Sequence, residues 1–312
     1  MSRILTITLN PALDLFTSTE RVVDTNKLRC TTPQFHPGGG GINVARVLHR
    51  LGADCVALYA AGGSAGGHLR QLLDEERVST HCIPLGGETR ESFSVHEQSS
   101  GRDWRFVLPG PHVATQEWEA CWQAVVAVSR QARWIVASGS LPPGVPVDCH
   151  ARLANLAAER GSRLVVDTSG PALAAALAEG VELIKPSLRE LRELTGAPLD
   201  DEVQWLAAAR ELARRGSARI VALSLGADGA MVVTADAAWR ARGPEVEIES
   251  TIGAGDSFTA GLIWALDCGE PLAEALRYAV AAGAAALLTA GTALCRPADV
   301  LRLRDEVRVT PL

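Results

Sequence analysis

At residues 251–256 the chain reads Thr251-Ile252-Gly253-Ala254-Gly255-Asp256, and a largely apolar segment, residues 257–266, follows directly. This pattern predicts a glycine-containing turn that opens a buried helix, with a carboxylate in its first turn. The first N–H groups of a helix have no partner within it and lie at the positive end of the helix dipole, so they form an anion site. An aspartate there could take a proton from a hydroxyl while the amides hold a phosphoryl group in transit. An ordinary capped helix, in which Asp256 only complements the dipole, explains these six residues equally well.

A second segment is rich in glycine. Residues 37–46 read Pro-Gly-Gly-Gly-Gly-Ile-Asn-Val-Ala-Arg. Four consecutive glycines are costly to order, and they are typical of backbone that approaches a ligand closely, here just before a predicted helix. Asn43 could then hydrogen-bond to sugar hydroxyls. A flexible loop before a helix is the alternative. The run matches neither the dinucleotide fingerprint nor the P-loop.

Short apolar runs rich in β-branched residues alternate with helical patterns along the chain. Predicted strands are residues 4–9, 55–60, 134–138, 163–167, 182–185 and 219–224. Predicted helices are residues 43–51, 67–76, 116–131, 148–159, 188–195 and 202–215, with Gly52, Gly161 and Gly216 at their C-termini. The apolar segment 279–288 is too short to span a membrane and predicts a core helix. The alternation predicts a three-layer α/β sandwich around a mostly parallel sheet. The length alone permits one large domain or two smaller ones.

Two segments interrupt this alternation. Residues 17–34 are polar and extended, and residues 91–108 predict a hairpin with apolar residues alternating on both sides of a turn at 99–102. Together they predict a small β lid, about residues 15–35 and 88–108. Its apolar face needs cover from the active site, from another subunit or from both. A surface hairpin without a function is the alternative.

Polar residues collect where the predicted strands end, which is where open α/β sheets bind ligands. Asp14 follows the first strand, and its carboxylate could accept hydrogen bonds from a polyol. Asp167 ends another strand and, with Glu190, could hold Mg²⁺ mostly through its waters, although Glu190 also suits a helix surface. Residues 224–229 could contact a nucleotide or form a plain turn. The cations in or beside the lid, which could cradle a substrate phosphate or be solvated surface charges, are Lys27, Arg29, Arg90 and Arg105.

The composition argues against several classes of protein. A chain of 312 residues that is 47% hydrophobic can bury a full core, and its net charge of −6 argues against a nucleic-acid or anionic-membrane partner. Its seven cysteines are scattered and odd in number, which fits reduced thiols in a cytoplasmic protein better than disulfides or zinc. No signal peptide is expected, because the first apolar run is short and Asn10-Pro11 follows it.

The sequence resembles the ribokinase-like carbohydrate kinases over essentially its whole length. The runs at 38–45 and 251–256 look like the two signatures of that family, and the second is highly specific. Residues 28–37, together with Ser-Gly-Ser-Leu-Pro-Pro-Gly at 138–144, are most similar to its bacterial 6-phosphofructokinase branch. The resemblance implies one ribokinase-like α/β domain over residues 1–312 and a homodimer formed through the lid. It also implies a phosphosugar substrate, with ATP and Mg²⁺ as cofactors and K⁺ as a further possibility.

The same resemblance implies roles for individual residues. Asp256 is the expected catalytic base, and the expected anion hole is Gly253, Ala254 and Gly255. The expected sugar and sugar-phosphate contacts are Asp14, Lys27, Arg29, Gly39, Asn43, Arg90 and Ser138. The expected nucleotide contacts are Lys185, Ser187, Ser224 and Gly226, with Mg²⁺ near Glu190. A monovalent cation is expected near Ser250, Ile252, Ala286 and Gly291.

One departure from the family pattern concerns the metal. The usual Asn-x-x-Glu motif reads Ser187-Leu188-Arg189-Glu190 here. Serine is shorter than asparagine and lacks its amide, which puts the affinity for Mg²⁺ or ATP in question, although a water could fill the gap.

The expected activity is ATP-dependent phosphorylation of fructose 6-phosphate at its 1-hydroxyl. Alternatives with the same chemistry are a tagatose-6-phosphate kinase and a 1-phosphofructokinase. A non-catalytic sugar-phosphate sensor is an alternative of another class: Ser187 keeps it open, while the intact anion-hole sequence and Asp256 weigh against it. A kinase for unphosphorylated sugars or nucleosides is disfavoured by the cations near the lid.

Overall fold

A computed structural model describes residues 4–24 and 27–312 of the protein. Its strands are β1 (Ile4–Thr8), β2 (Ala12–Thr19), β3 (Gln34–Gly38), β4 (Cys55–Ala61), β5 (Thr80–Pro84), β6 (Arg90–Glu97), β7 (Arg102–Val107), β8 (Trp134–Ser138), β9 (Arg163–Asp167), β10 (Val181–Ile184), β11 (Ala218–Ser224), β12 (Ala230–Val233), β13 (Ala238–Arg242) and β14 (Arg308–Pro311). Its helices are α1 (Gly40–Arg50), α2 (Gly63–Glu75), α3 (Thr115–Val128), α4 (Cys149–Arg160), α5 (Gly170–Glu179), α6 (Leu188–Thr195), α7 (Glu202–Arg214), α8 (Ala254–Cys268), α9 (Leu272–Leu287) and α10 (Pro297–Arg304). Short 3₁₀ turns lie at Ser129–Gln131 and Gly226–Asp228.

The main sheet has the strand order β14-β13-β12-β11-β10-β9-β8-β1-β4-β5. The strands from β11 to β5 pair in parallel, and β12, β13 and β14 add an antiparallel edge. Every residue of β1 and β8 is buried, as expected for parallel strands covered on both faces. The chain order reverses between β1 and β8, and such a switch point is where sheets of this kind bind ligands.

Helices cover both faces of this sheet, so the predicted three-layer sandwich is confirmed. On one face, side chains of α3, α4, α5, α6 and α7 share a core with β1 and β8, through residues such as Leu153, Leu173 and Leu212. On the other face, α1, α8, α9 and α10 pack through Leu48, Leu262 and other residues. The two layers close the sheet except at the carboxyl ends of its central strands.

The predicted elements are present, with shifts of a few residues at their ends. Gly52, Gly161 and Gly216 have φ of 79°, 66° and 81°, a conformation that glycine tolerates and that ends helices. The predicted helix at 257–266 runs longer, as α8, and the segment 279–288 is the second half of α9. Strands β5, β12, β13 and β14 were not predicted.

A second sheet, which we call the lid, has the order β3-β2-β6-β7. Its first two strands, β2 and β3, extend from Ala12 to Gly38, which is a few residues beyond the predicted range 15–35 at each end. Among the described residues, the connection between β2 and β3 contains no strand. All six residues of β7 are exposed. Residues 1–3 of the predicted domain, and Thr25 and Asn26 of the predicted lid, lie outside the described residues.

Within residues 4–24 and 27–312, no helix combines the length and the apolar character needed to cross a membrane.

Candidate active site

An open cleft of about 270 Å³ lies beyond the carboxyl ends of the central strands, beneath the lid. It brings together predicted residues that are far apart in the sequence. The predicted site residues that line it are Asp14, Gly39, Asn43, Arg90, Ser138, Lys185 and Asp256. Arg105 and Asp167 line it as well. The cleft is therefore polar and holds charges of both signs.

The glycine turn at 251–256 forms one wall of the site. Gly253 is the N-cap of α8 with φ of 77°, and Gly255 and Asp256 are the second and third residues of the helix. A Cβ on Gly253 would lie 2.4 Å from Leu294 Cδ2, so the turn is backed closely by that side chain. A recess lined by Arg105, Gly253, Gly255 and Asp256 opens beside the cleft. The N–H groups of this first turn have no partner within the helix.

Asp256 is a partly buried carboxyl to which the Asn43 side chain donates. Asn43 Nδ2 donates to Asp256 Oδ2 over 2.8 Å. Burial and the negative charge of Asp167 raise the pKa of Asp256 to about 6, while the Asn43 hydrogen bond and Lys185 act in the opposite direction. A carboxyl with a pKa near 6 can accept a proton at neutral pH and hold it better than a solvated aspartate.

Lys185 is held in place beside this carboxyl. It follows β10 directly, and its Nζ lies 3.2 Å from Asp167 Oδ1. Although burial lowers the pKa of Lys185, Asp167 and Asp256 outweigh it and keep that pKa above its usual value. Asp167 Oδ2 also accepts from Ser138 Oγ (3.4 Å) and Thr259 Oγ1 (3.3 Å). The lysine is therefore a fixed cation at the cleft.

Asp14 faces the cleft from the lid. It lies in β2, not in a loop after β1, and Thr292 Oγ1 donates to its Oδ2 over 3.1 Å. Burial raises the pKa of Asp14, against the opposing charges of Arg105 and Arg90. A Cβ on Gly38 would lie 2.3 Å from Asp14 Oδ2, so a side chain at position 38 would displace this carboxylate.

The four candidate cations divide into two pairs. Arg90 and Arg105 line the cleft. Arg90 donates to the carbonyls of Asn10 (3.0 Å), Pro11 (3.4 Å) and Leu108 (3.3 Å). Lys27 and Arg29 are exposed in the connection between β2 and β3 and do not line this cleft. Within one chain, the structure therefore offers two guanidinium groups to a bound anion.

The predicted nucleotide residues lie at the edge of the sheet next to Lys185. Ser187 and Ser224 form an isolated parallel bridge, and Ser224 Oγ donates to the Pro186 carbonyl over 3.4 Å. Gly226 opens an exposed turn with φ of 61°, and a Cβ there would meet no atom within 4 Å. None of Ser187, Ser224 and Gly226 lines the cleft itself.

Ser187 and Glu190 form a capping box at the start of α6. Ser187 N donates to Glu190 Oε2 over 2.8 Å, and Glu190 N donates to Ser187 Oγ over 3.2 Å. Serine is among the best N-caps, so this side chain stabilises the start of α6. The charge of Glu190 acts on both Asp167 and Lys185.

The residues of the expected monovalent-cation site are close together behind the glycine turn. Ser250 is buried, its N–H donates to the Leu287 carbonyl (3.4 Å), and its Oγ accepts from Ile252 N (3.2 Å). The Ala286 carbonyl accepts from Thr289 Oγ1 over 3.0 Å. Gly291, with φ of 56°, packs against Phe16.

Three residues of the site were not predicted from the sequence: Thr259, Thr292 and Arg46. Thr259 Oγ1 joins Asp167 to the Gly255 carbonyl (3.0 Å). Thr259 lies three residues beyond Asp256, on the same face of α8, which is the only sequence signal that pointed to it. Thr292 and Arg46 reach the site only through the fold.

Comparison with known proteins decides the family. The model described as pfkB family carbohydrate kinase matches residues 8–299. The chain belongs to the pfkB family of carbohydrate kinases. The kinase is thus a phosphotransferase that uses an alcohol group as acceptor, and the resemblance noted from its two glycine motifs is confirmed.

Relatives of the kinase cover nearly its whole length. The ATP-dependent 6-phosphofructokinase isozyme 2 of Mycobacterium tuberculosis (strain ATCC 25618 / H37Rv) is 45% identical over 300 residues, covering 96% of this chain and 88% of the relative. The phosphofructokinase-2 of Escherichia coli in complex with potassium superposes with a TM-score of 0.93 at 40% identity, covering 98% and 99%. A 1-phosphofructokinase of Borreliella burgdorferi is 31% identical and covers 98% of both chains.

Proposed function

We propose that this kinase transfers the γ-phosphoryl group of ATP to the 1-hydroxyl of fructose 6-phosphate, giving fructose 1,6-bisphosphate. The observation that carries the proposal is one cleft in which Asp256, at an anion-binding turn, faces Asp14 and two arginines. The relatives named 6-phosphofructokinase are 41–45% identical to the chain, against 29–34% for those named 1-phosphofructokinase, and this supports the choice of sugar phosphate.

The cleft suits a phosphorylated sugar. Asp14 and Asn43 present oxygen and nitrogen atoms to sugar hydroxyls, together with the backbone of Gly39 and the hydroxyl of Ser138. Arg90 and Arg105 supply the positive charge that a phosphate on the substrate requires. Each charge-assisted hydrogen bond to such a phosphate contributes about 1.5–3 kcal/mol. A free sugar would leave these guanidinium groups without that partner.

Proton and phosphoryl transfer are divided between Asp256 and the turn before it. The Asp256 carboxylate takes the proton of the acceptor hydroxyl. The hydroxyl oxygen of the sugar then bonds to the γ-phosphorus, while the bond from this phosphorus to the oxygen of the β-phosphate breaks and ADP leaves. The N–H groups of Gly253, Ala254 and Gly255 are the proposed donors to the oxygens of the moving group. Lys185, fixed by Asp167, adds positive charge beside them.

The nucleotide side is proposed to include Lys185, Ser187, Ser224 and Gly226. Within residues 4–24 and 27–312, no three acidic, histidine or cysteine side chains are grouped to hold a metal ion. Mg²⁺ suits such a site because it keeps several waters and takes phosphate oxygens. Glu190 would hold it through water, since one of its oxygens already accepts from Ser187. When bound, the metal neutralises charge on the β- and γ-phosphates. K⁺ is proposed near Ser250, Ile252, Ala286 and Gly291.

The proposal is tested by ADP release with a panel of acceptors under one set of conditions. The panel contains fructose 6-phosphate, tagatose 6-phosphate, fructose 1-phosphate, free fructose and free ribose. We expect the highest kcat/KM with fructose 6-phosphate. A higher value with tagatose 6-phosphate or fructose 1-phosphate would overturn the choice of sugar, and no ADP release with any of them would favour a non-catalytic sensor.

The proposed base predicts a pH dependence. Because Asp256 must be ionised to accept a proton, kcat should be constant at high pH and fall tenfold per pH unit below the pKa of this carboxyl, which is about 6. The measurement is kcat against pH from 5 to 8.5 at saturating ATP and sugar phosphate. A kcat that holds constant down to pH 5 would contradict the assignment, provided the protein stays folded there by circular dichroism.

We propose further that two copies pair through their lids. Strand β7 is an exposed edge, and Trp104 and Phe106, which lie on the same face of this strand, are 39% and 46% exposed. A second lid would cover this face and would bring exposed lid cations toward a neighbouring cleft. Phe106→Arg should convert a dimer to a monomer at micromolar concentration in sedimentation velocity, whereas Val203→Arg, at a 76% exposed residue far from the lid in sequence, should not. A wild-type monomer would refute the pairing.

A further inference from the structure

Arg46 is a fully buried arginine whose guanidinium touches several parts of the site. It lies in α1 and its side chain is 1% exposed. Its Nη1 group donates to three acceptors: the Pro37 carbonyl (3.0 Å), Asn43 Oδ1 (3.3 Å) and the Thr292 carbonyl (3.0 Å). Its Nε and Nη2 groups donate to Glu76, at 3.0 and 2.5 Å. Burial on this scale is costly unless every donor is used.

Two of these acceptors lead directly to the carboxylates of the cleft. Asn43 donates through Nδ2 to Asp256 (2.8 Å), and Thr292 donates through Oγ1 to Asp14 (3.1 Å). The third, Pro37, directly precedes the glycine run. A single guanidinium therefore contacts the partner of Asp256, the partner of Asp14 and the residue before the glycine run.

Arg46 also determines which way the Asn43 amide faces. If the amide were turned over, its NH₂ group would meet the N–H of Arg46, donor against donor, and its oxygen would meet the Asp256 carboxylate. Both contacts would be repulsive. The observed orientation satisfies both neighbours and is favoured by one hydrogen bond on each side.

We propose that Arg46 is a positioning residue of the active site, whose guanidinium holds the Asn43 amide with its donor toward Asp256 and the Thr292 backbone toward Asp14. Glu76 is its anchor, because its two oxygens fix the plane of the guanidinium. The inference rests on the proposed function in that Asp256 is taken as the base.

The matched control is Arg50, one turn further along α1. Arg50 donates to the same carboxylate, Glu76 Oε2 (3.2 Å), and to the carbonyls of Ala293 (2.5 Å) and Cys295 (3.3 Å). Like Arg46, it therefore binds Glu76 and backbone carbonyls of the segment 292–295, but the structure gives it no contact with Asn43. Arg46→Lys and Arg50→Lys make the same chemical change and retain the positive charge. Only the first removes the planar group that reaches Asn43, Pro37 and Thr292 together.

The test compares kcat against pH for the wild type and both variants. We expect Arg46→Lys to move the acidic limb of kcat upward by about 0.5–1 pH unit, because Asp256 loses an oriented donor; this shift alone lowers kcat about twofold or less at pH 7 and about threefold to tenfold below pH 6. The other groups that act on Asp256, which are Asp167, Lys185 and Arg105, are unchanged in both variants. Arg50→Lys should leave the limb within about 0.2 pH unit of wild type. Equal limbs in the two variants would overturn the proposal.

Two further measurements keep the test decisive. In an Asn43→Ala background, Arg46→Lys should produce no additional shift of the limb; a full second shift would refute action through Asn43.

If Arg46→Lys does not fold, Arg46→Met with Glu76→Gln removes both charges together, which avoids an unpaired carboxylate, and the same shift is expected. Carbon-13 NMR titration of the Asp256 carboxyl, identified by its loss in Asp256→Asn, reports the shift without turnover. A failure of the proposed function therefore shows as an inactive wild type, and a failure of the Arg46 inference as an unshifted carboxyl.

Discussion

The variant Asp256→Asn should lose about 10²–10⁴-fold in kcat, because an amide cannot take the proton of the acceptor hydroxyl. The loss should appear in kcat and leave the dissociation constant for the sugar phosphate within a few-fold of wild type. The amide is nearly the same shape as the carboxyl, and its oxygen can still accept from Asn43 Nδ2, as Oδ2 does over 2.8 Å. Initial rates of ADP release and calorimetric binding of fructose 6-phosphate measure the two quantities separately.

The same variant should be no less stable than the wild type. The folded protein raises the pKa of Asp256 from 3.8 to about 6, so the ionised carboxylate opposes folding at every pH above 6, and this penalty declines as the pH falls toward 4. A neutral amide removes the penalty. Thermal unfolding at pH 8 should therefore give a Tm equal to or above that of the wild type. Near-normal kcat in a folded variant would remove Asp256 from the proposed mechanism.

The variant Gly41→Ala should lower the free energy of unfolding by about 1–3 kcal/mol, the usual cost of overpacking a tight contact. A Cβ at this position would lie 2.7 Å from the Ile7 carbonyl oxygen and 2.5 Å from Thr8 Oγ1. The first of these is backbone in the central strand β1, which cannot move aside as a side chain could. Helix α1 would have to shift away from the sheet, carrying Asn43 with it, so kcat/KM should also fall by at least tenfold.

Gly67→Ala is the control for this prediction, with the opposite sign. Gly67 is an exposed residue of α2, and a Cβ there would meet no atom within 4 Å. Alanine in an exposed helix interior is favoured over glycine by about 0.5–1 kcal/mol, so this variant should be slightly more stable and fully active. Urea denaturation of the two variants in parallel measures both effects. A Gly41→Ala protein as stable as Gly67→Ala would show that α1 does not need glycine at 41.

The central sheet could be predicted because its signal is local. Strands β8 and β9 and helix α6 occur at the residues that the sequence pattern indicates. The edge strands could not be predicted in this way. β5 reads Thr-His-Cys-Ile-Pro, without a clear apolar pattern, and β14 is short and mostly exposed. Their pairing depends on the sheet already being present, and a single sequence does not show this.

The site residues likewise fall into those that a local motif indicates and those that only the fold brings together. Asp256 and Asn43 stand inside glycine motifs, so their place beside a ligand could be predicted from neighbours in the sequence. Arg46 and Thr292 are 246 residues apart, and nothing in either local sequence indicates that they meet. The choice between Arg105 and the pair Lys27 and Arg29 depended on which cations turn toward the cleft, and only the paired strands of the lid determine that.

Ser187 has a structural role that its sequence difference alone does not show. Its departure from the family motif put the binding of Mg²⁺ or ATP in question. In the structure its hydroxyl and its N–H close the capping box with Glu190. Replacing it therefore affects the start of α6 as well as any ligand that Ser187 contacts.

The carbonyls that Arg90 holds have a mechanical consequence. Asn10 and Pro11 lie where the chain crosses from β1 into the small sheet, and Leu108 lies where it leaves β7. Arg90 therefore ties together the two chain segments that enter and leave the lid. A guanidinium that turned toward a bound anion would give up some of these hydrogen bonds, so anion binding at Arg90 and the attachment of the lid to the main sheet compete for the same donors.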